Sequence, residues 1–284
     1  MPVFLAGDGT ELAYRVQGDG PPLVSVPGGP MRDSVYLGDL GGLSASRQLI
    51  MLDLRGTGRS AVPADPASYR CDRLVDDVAA LRGHLGLERM DLLGHSAGAN
   101  IAAMYAARYP GQVSTLALVA PSTRAVGLLP SSEMRREIVN LRHAEPWFPE
   151  AAAAFERLQA GSETEDDWAA MAPLFYGRWD AAAQAHSAAN EEQVNDEAAS
   201  VFAGPGAFGP EAARAALSTF TPPVLVLAGE VDVNTPPRVA AELTALFPAA
   251  RLVVQPGAGH YPWLDDPAWF TSAVAPFLDG APSG

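Results

Sequence analysis

The chain has 284 residues, of which 48% are hydrophobic and 18% are charged, so it can bury a large core and carries too few charges for intrinsic disorder. Its 33 acidic and 19 basic residues give a formal net charge of −14. This charge argues against nucleic acid or anionic lipid as a partner, because both bind through clusters of Lys and Arg. All the basic residues are Arg, which excludes Schiff-base chemistry and the anchoring of pyridoxal phosphate, since both need a lysine.

The single cysteine, Cys71, allows neither an intrachain disulfide nor a multi-cysteine metal site. The first residues, MPVFLAGD, have no basic stretch followed by an apolar run, and no apolar segment approaches the roughly 18 residues needed to cross a bilayer. We therefore predict a cytoplasmic protein with no membrane partner. The sequence offers no pattern for a metal or a cofactor, and none that indicates the oligomeric state.

Eight short segments rich in Val, Leu and Ile predict strands. They are Val3–Leu5, Glu11–Val16, Pro22–Val26, Gln48–Leu52, Arg89–Leu93, Ser114–Val119, Pro223–Ala228 and Arg251–Val254. The first two are joined by Gly7-Asp8-Gly9, whose Asp-Gly pair favours a tight hairpin, so the sheet is expected to open with an antiparallel pair. Strands that alternate with helices form parallel units, and we predict an α/β fold with a mostly parallel eight-stranded sheet.

Four predicted helices accompany the later strands. They cover Asp72–Leu85, Gly98–Tyr109, Pro236–Phe247 and Pro267–Leu278. The alternation stops once, after the sixth strand, where residues 122–218 contain no convincing strand and are rich in Ala, Glu and Arg. We predict that 122–218 form a helical cap inserted into a core made of 1–121 and 219–284.

A candidate nucleophile lies where the fifth strand meets the next helix. The segment MDLLGHSAG places Ser96 in a Gly-x-Ser-x-Gly pattern between strand and helix. Gly94 and Gly98 allow the sharp turn that projects the Ser96 hydroxyl above the sheet, beside the helix N-terminus. The structural alternative is that Ser96 only caps the helix. For His95 we expect a packing role, because its side chain points away from the turn.

A serine nucleophile needs a base, and the base needs an orienting acid. Asp232 follows the seventh predicted strand and His260 follows the eighth, so the chain carries the set in the order Ser, Asp, His. Catalytic groups of α/β enzymes lie at such strand ends. The structural alternatives are a turn or helix-cap aspartate and a buried structural histidine. The remaining histidines, which we interpret as packing or solvated residues, are His84, His143 and His186.

Hydrolysis through Ser96 also needs an oxyanion hole. In this architecture one N–H comes from the residue after the nucleophile and one from the loop after the third strand. These positions are Ala97 and, within Pro27-Gly28-Gly29-Pro30, Gly29. The alternative for the two glycines is an ordinary turn.

The order of the three residues, together with GHSAG, GEVD…PP and GAGHYP, resembles the α/β-hydrolase family over the whole chain apart from a variable cap. Within that family, Gly28-Gly29-Pro30 followed by DLRGTGRS at 53–60 is similar to proline iminopeptidases and their relatives, which carry HGGPG and D-x-R-G-x-G-x-S. The second motif matches. The first departs, because Pro27 stands where the family has His and Met31 where it has the last Gly. These departures bear on peptidase specificity.

The resemblance also implies how a substrate is recognised, since iminopeptidases hold the free N-terminal amine with acidic side chains of the cap. Residues 121–220 carry 15 acidic and 7 basic residues, and Glu191 and Glu192 are the candidates for this role. Trp147 and Trp179 would supply an apolar wall for a proline-sized ring. The alternatives are a solvated acidic helix face and aromatic residues that form the core of the cap.

We therefore predict a cofactor-independent serine hydrolase that acts through an acyl-enzyme on a small molecule or short peptide. An aminopeptidase of proline iminopeptidase type is the favoured subclass. One alternative is an esterase, lactonase or amidase for a small hydrophobic acyl substrate, and another is a biosynthetic acyl-transfer or cyclisation enzyme. Epoxide hydrolases and haloalkane dehalogenases are disfavoured because those relatives carry Asp at the position of Ser96. A pure ligand-binding relative is disfavoured by the intact Ser, Asp and His set.

Overall fold

The computed structural model describes residues 1–280, apart from the side chain of Glu165. Eight strands form the sheet: β1 (Val3–Leu5), β2 (Glu11–Gln17), β3 (Pro22–Val26), β4 (Gln48–Leu52), β5 (Met90–His95), β6 (Val113–Val119), β7 (Val224–Gly229) and β8 (Ala250–Gln255). Their order is β1-β2-β4-β3-β5-β6-β7-β8. β2 pairs antiparallel with both β1 and β4, and all other pairs are parallel. The predicted fold and its antiparallel opening are confirmed.

The α-helices are α1 (Cys71–His84), α2 (Gly98–Arg108), α3 (Ser132–Asn140), α4 (Phe148–Gln159), α5 (Glu165–Met171), α6 (Ala181–Ala188), α7 (Asn190–Gln193), α8 (Asp196–Phe202), α9 (Pro210–Leu217), α10 (Pro237–Thr244), α11 (Pro262–Asp265) and α12 (Pro267–Leu278). Two boundaries differ from the sequence prediction by more than one residue. β5 continues through Gly94 and His95, so the first two of the five residues of the GHSAG motif belong to the strand. α10 ends at Thr244, because Leu246 and Phe247 make tighter bonds to residues three positions earlier. No helix within residues 1–280 is long and apolar enough to cross a membrane.

The sheet is buried on both faces, which explains why its strands are almost continuously apolar. Successive residues of a strand point to opposite faces, so Leu92 of β5 joins one hydrophobic cluster with α1 and α2, whereas Leu93 joins a second cluster with α12. The same alternation places Val226 and Leu225 of β7 in the first and second cluster, respectively. Packing of the two clusters on the two faces fixes the parallel strands, and the carboxyl ends of these strands lie along the same edge of the sheet.

The stretch between β6 and β7 is helical, from α3 to α9, with one isolated bridge between Val194 and Arg32. Its first part builds a small core of its own, in which Phe155 and Leu174 cluster with Val233 of the core loop after β7. Its second part joins the main core through Phe202 and Leu217. The cap boundaries at 122 and 218 stay a prediction.

The loop after β4, which carries the DLRGTGRS motif, is organised by two buried carboxylates. Asp53 is fully buried and accepts bonds from the Ser34 hydroxyl at 2.5 Å and from the Arg59 N–H at 3.0 Å. Arg55 forms a two-pronged ion pair with Asp77 of α1, and its other terminal nitrogen lies 2.7 Å from Asp8. The motif therefore ties the loops after β3 and β4 to the sheet and to α1.

Replacing Asp77 with Asn is expected to lower the free energy of unfolding by about 3 kcal/mol, because it removes one partner of a buried ion pair and leaves the Arg55 charge poorly compensated. Side chains of Arg55 and Asp77 are 4% and 1% exposed. The matched control is Asp76→Asn, whose ion pair with Arg108 is about half exposed on both sides and should cost at most about 1 kcal/mol. Urea unfolding measures both values, and equal losses in the two variants would contradict the prediction.

Candidate active site

Ser96 sits on a strained turn between β5 and α2. Its backbone φ is +52°, a left-handed conformation that residues other than glycine rarely adopt. Two bonds to the end of β6 hold this turn: Ser96 N–H donates to the Val119 carbonyl at 3.0 Å, and Ser122 N–H donates to the Ser96 carbonyl at 2.9 Å. The serine hydroxyl is therefore fixed at the edge of the sheet where the parallel strands end.

Three glycines make this turn possible by close packing. A Cβ on Gly98 would lie 2.4 Å from the carbonyl oxygens of Val26 and Pro27, and a Cβ on Gly94 would lie 2.8 Å from Ala102 Cβ. A Cβ on Gly28 would lie 2.7 Å from Ser96 Cβ. Each position thus excludes any other residue without a backbone shift.

The structure brings the three residues predicted from the order Ser, Asp, His together. His260 Nε2 lies 2.8 Å from Ser96 Oγ, and His260 Nδ1 lies 2.9 Å from Asp232 Oδ2. The Asp232 carboxylate is fully buried and accepts a second bond from Asn234 N–H at 2.8 Å. A neutral imidazole with its proton on Nδ1 fits both distances, since it donates to Asp232 and accepts from the serine hydroxyl.

The loop that carries His260 is bonded to the cap. His260 N–H donates to the Phe175 carbonyl at 2.8 Å. The buried Asp265 carboxylate accepts Gly259 N–H from the same loop at 2.8 Å and Gly177 N–H from the cap at 2.9 Å. Burial raises the pKa of Asp265, and these backbone donors partly offset the rise. The histidine loop and the cap segment 175–178 are thus one hydrogen-bonded unit.

The predicted oxyanion donors are the backbone N–H groups of Gly29 and Ala97. Neither N–H has a hydrogen-bond acceptor among the described residues. Ala97 also stands at the N-terminus of α2, where the helix dipole favours negative charge. Gly28 is unsuitable, because its N–H already donates to the Tyr36 hydroxyl at 2.7 Å. Of the two glycines, Gly29 is therefore the one whose N–H is available to a ligand, and the assignment of the oxyanion hole stays a prediction.

His95 connects the two sides of the site, a role that goes beyond the packing we expected. Its Nε2 lies 2.9 Å from the carbonyl oxygen of His260, so Nε2 carries the proton and donates. Its Nδ1 is then an acceptor for the Tyr36 hydroxyl at 2.6 Å, whose oxygen accepts Gly28 N–H. Complete burial holds the pKa of His95 well below its usual range and keeps the ring neutral. A continuous chain of bonds thus runs from Gly28 to His260.

Tyr36 and Arg32 are the residues that sequence reasoning missed here. Tyr36 lies 8 residues from Gly28 and 59 from His95, so no local pattern indicates either contact. Arg32 is 1% exposed, and its guanidinium lies 4.5 Å from the centre of the Tyr36 ring. It donates to the His186 carbonyl at 3.0 Å and to the Gln193 side chain at 2.9 Å. His186 is also part of this cluster, and burial lowers its pKa to about 4.

The predicted cap residues occupy two different environments. Glu191 and Glu192 are exposed on α7, and their carboxylates have no ion pair or hydrogen bond among the described residues. The end of α7 is bound to the loop after β3, where Asp33 N–H donates to the Gln193 carbonyl at 2.8 Å. Trp147 packs in the cap core, 4.8 Å from the Arg142 guanidinium, and Trp179 lies against Tyr176 with ring centres 5.4 Å apart. Trp147 therefore has the core environment considered as its alternative.

A family model for the alpha/beta hydrolase fold matches residues 21–267, which is most of the chain. The protein belongs to the α/β-hydrolase family. Among curated α/β hydrolases, it is 25% identical over 277 residues to a proline iminopeptidase of Heyndrickxia coagulans, with 94% of this chain and 93% of the relative covered. It is 28% identical over 290 residues to the proline iminopeptidase of Lactiplantibacillus plantarum, with 91% and 93% covered.

Solved structures of this family include both peptidases and esterases. A proline iminopeptidase of Mycobacterium smegmatis superposes with a TM-score of 0.73 at 26% identity, with 98% of each chain covered. An esterase from Rhodococcus sp. ECU1013 superposes with a TM-score of 0.74 at 27% identity, with 99% of this chain and 100% of that chain covered. The relatives and structures named here are therefore hydrolases of one fold, but they include both a peptidase and an esterase and so do not share one substrate class.

Replacing Tyr36 with Phe removes one hydroxyl and leaves two buried groups, Gly28 N–H and His95 Nδ1, without a partner. We expect the free energy of unfolding to fall by about 2 to 6 kcal/mol, since each of the two unpaired buried groups costs about 1 to 3 kcal/mol. The matched control is Tyr105→Phe, which loses the contacts of its hydroxyl with Gln112 and Arg82 far from the site and should cost about 1 kcal/mol. Chemical denaturation gives both values, and a loss of 1 kcal/mol or less for the Tyr36 variant would contradict the bonded chain.

Proposed function

We propose that the protein is a serine hydrolase in which Ser96 is the nucleophile, His260 the general base and Asp232 the residue that orients the base. The observation that carries this proposal is the pair of distances at His260, 2.8 Å to Ser96 Oγ and 2.9 Å to Asp232 Oδ2. Nucleophilic serines of this kind need a base within hydrogen-bond reach and a third group that fixes the base.

The proposed reaction has two halves. Ser96 Oγ forms a bond to the carbonyl carbon of the substrate while its proton passes to His260 Nε2. The resulting oxyanion is stabilised by the N–H groups of Gly29 and Ala97, and the imidazolium by Asp232. His260 then gives the proton to the leaving group as its bond to carbon breaks, which leaves an acyl-enzyme. Water, deprotonated by His260, attacks the acyl carbon and releases the acid, and the proton returns to Ser96.

Replacing Ser96 with Ala is expected to reduce hydrolysis of an activated ester by more than about 10³-fold, because the nucleophile is removed. The thermal unfolding profile should change little, since only one side-chain bond is lost, that to His260 Nε2. A fluorophosphonate should add covalently to wild type at Ser96, as read by peptide mass spectrometry. Ser122→Ala, a change in the loop beside the same turn, should be labelled and active like wild type.

The same experiment separates the candidate bases. His260→Ala should lose activity as Ser96→Ala does, whereas His84→Ala and His143→Ala should retain it. Labelling at another residue, or normal turnover by His260→Ala, would refute the proposed assignment.

For the substrate, we favour an aminopeptidase of proline iminopeptidase type. The curated relatives named above support this subclass, as do the free carboxylates of Glu191 and Glu192 beside the loop that carries Gly29. An esterase, lactonase or amidase is the second candidate. It is supported by the esterase that superposes over the whole chain and by Pro27, which replaces the histidine of the iminopeptidase motif.

Prolyl p-nitroanilide should be hydrolysed about ten- to a hundredfold faster than its N-acetylated form, because a charge-assisted bond from the substrate amine contributes about 1.5 to 3 kcal/mol where the bound substrate shields the carboxylate from water. Glu191→Gln or Glu192→Gln should reduce this preference. Glu211→Gln, on the distant helix α9, is the control with the same change of charge. Equal rates for the two substrates in wild type would refute the aminopeptidase and leave the esterase or amidase with the same Ser96.

A further inference from the structure

Two arginines at the boundary of cap and core, Arg124 and Arg135, have neither an ion pair nor a hydrogen bond among the side chains that the structure describes. This is unusual in a chain with 33 acidic residues and 19 arginines. The neighbouring Arg136, for example, is bound to Glu156 through two bonds of 2.7 and 2.8 Å. The exposed side chain of Arg59 also has no partner among the described residues, and Arg135 differs from it because it is half-buried.

Arg124 lies close to the nucleophile turn. Two residues before it, Ser122 N–H donates to the Ser96 carbonyl at 2.9 Å. One residue after it, Ala125 N–H donates to the Asn100 side chain in the first turn of α2 at 2.9 Å. The backbone of Arg124 is thus fixed at both sides, against the same turn and helix that position Ser96.

Arg135 approaches the site from the cap. Ile138 and Val139, three and four residues further along α3, cluster with Val233, which follows Asp232. Residues at these spacings share one face of a helix, so Arg135 lies on the face of α3 that packs toward the loop of Asp232. Its Nε atom is buried and has no hydrogen-bond partner.

The charges around Arg135 are unbalanced. Burial lowers its pKa, the nearby Arg124 lowers it further, and Asp232 raises it. Asp232 attracts Arg135 but forms no hydrogen bond or ion pair with it, and its two oxygens bind His260 and Asn234 instead. A half-buried guanidinium next to a second cation is costly unless an anion pairs with it. Carboxylates fit guanidinium groups well, since they accept two parallel N–H bonds.

We propose that Arg124 and Arg135 form a carboxylate subsite beside Ser96, so that the preferred substrates carry a free carboxylate in addition to the bond that is cleaved. This inference rests on the proposed serine hydrolase and narrows its substrate class. The carboxylate can belong to the acyl part, as in a half-ester of a dicarboxylic acid, or to the leaving group, as at the C-terminus of a short peptide. The chemistry recognised is the same in both cases.

The test uses one pair of esters for each position of the carboxylate. On the acyl side, p-nitrophenyl hemiglutarate is compared with its neutral methyl ester. On the leaving-group side, 4-acetoxybenzoate is compared with methyl 4-acetoxybenzoate. Wild type should prefer the acid in at least one pair by about ten- to a hundredfold in kcat/KM at low salt. Arg135→Gln and Arg124→Gln should each reduce that ratio at least about fivefold.

Arg136→Gln is the matched control, because it makes the same change of charge on the same helix at a residue that is already paired with Glu156. It should keep the wild-type ratio. No preference for the acid in either pair, or an equal loss of preference in the Arg136 variant, would overturn the subsite. If Arg135→Gln fails to fold, Arg124→Gln alone decides the result.

Calorimetric titration with glutarate separates this inference from the proposed function, because it needs no turnover. If Ser96→Ala hydrolyses the esters as fast as wild type, the serine mechanism fails. Glutarate binding that is present in wild type and lost in Arg135→Gln would then still support the subsite. Absence of glutarate binding to wild type, together with equal rates on acid and neutral esters, would refute it.

Discussion

The close approach of α2 to the end of β3 is the constraint on which the site depends. Gly98 leaves no room for a side chain between the helix and the Val26 and Pro27 carbonyl oxygens. Beside this contact the turn packs Ser96 against Gly28, and the serine adopts a left-handed backbone conformation. The strain is stable only because the sheet on both faces is tightly buried, so the hydrophobic core and the reactive geometry are parts of one arrangement.

Buried hydrogen bonds between side chains and backbone fix the loops around that turn. Asp53 holds the loop after β3 through Ser34, and Tyr36 of the same segment bonds to Gly28 and His95. Three loops that are distant in sequence thus share buried polar groups that satisfy one another. Networks of this kind define a single geometry, because each member loses a partner if any other member moves.

Much of this molecule could be predicted from its sequence. The eight strands could be predicted from the short apolar segments, and the turn at Ser96 from the glycines around it. Both features depend on local backbone geometry. The positions of Asp232 and His260 followed from the rule that parallel strands end at one edge. The contacts of Tyr36 could not be predicted, since they join segments far apart in sequence. Glu191 and Glu192 show the same limit: their acidic pattern is visible, but the surroundings of α7 depend on how the cap packs.

The bonds between the histidine loop and the cap have a consequence for the geometry at His260. His260 N–H is bonded to Phe175, and Asp265 bridges Gly259 and Gly177, so any displacement of the cap segment 175–178 must break backbone bonds of the histidine loop. The position of the imidazole therefore depends on the cap as well as on the sheet. A substitution in this cap segment would change the distances at His260 without altering Ser96, Asp232 or His260 itself.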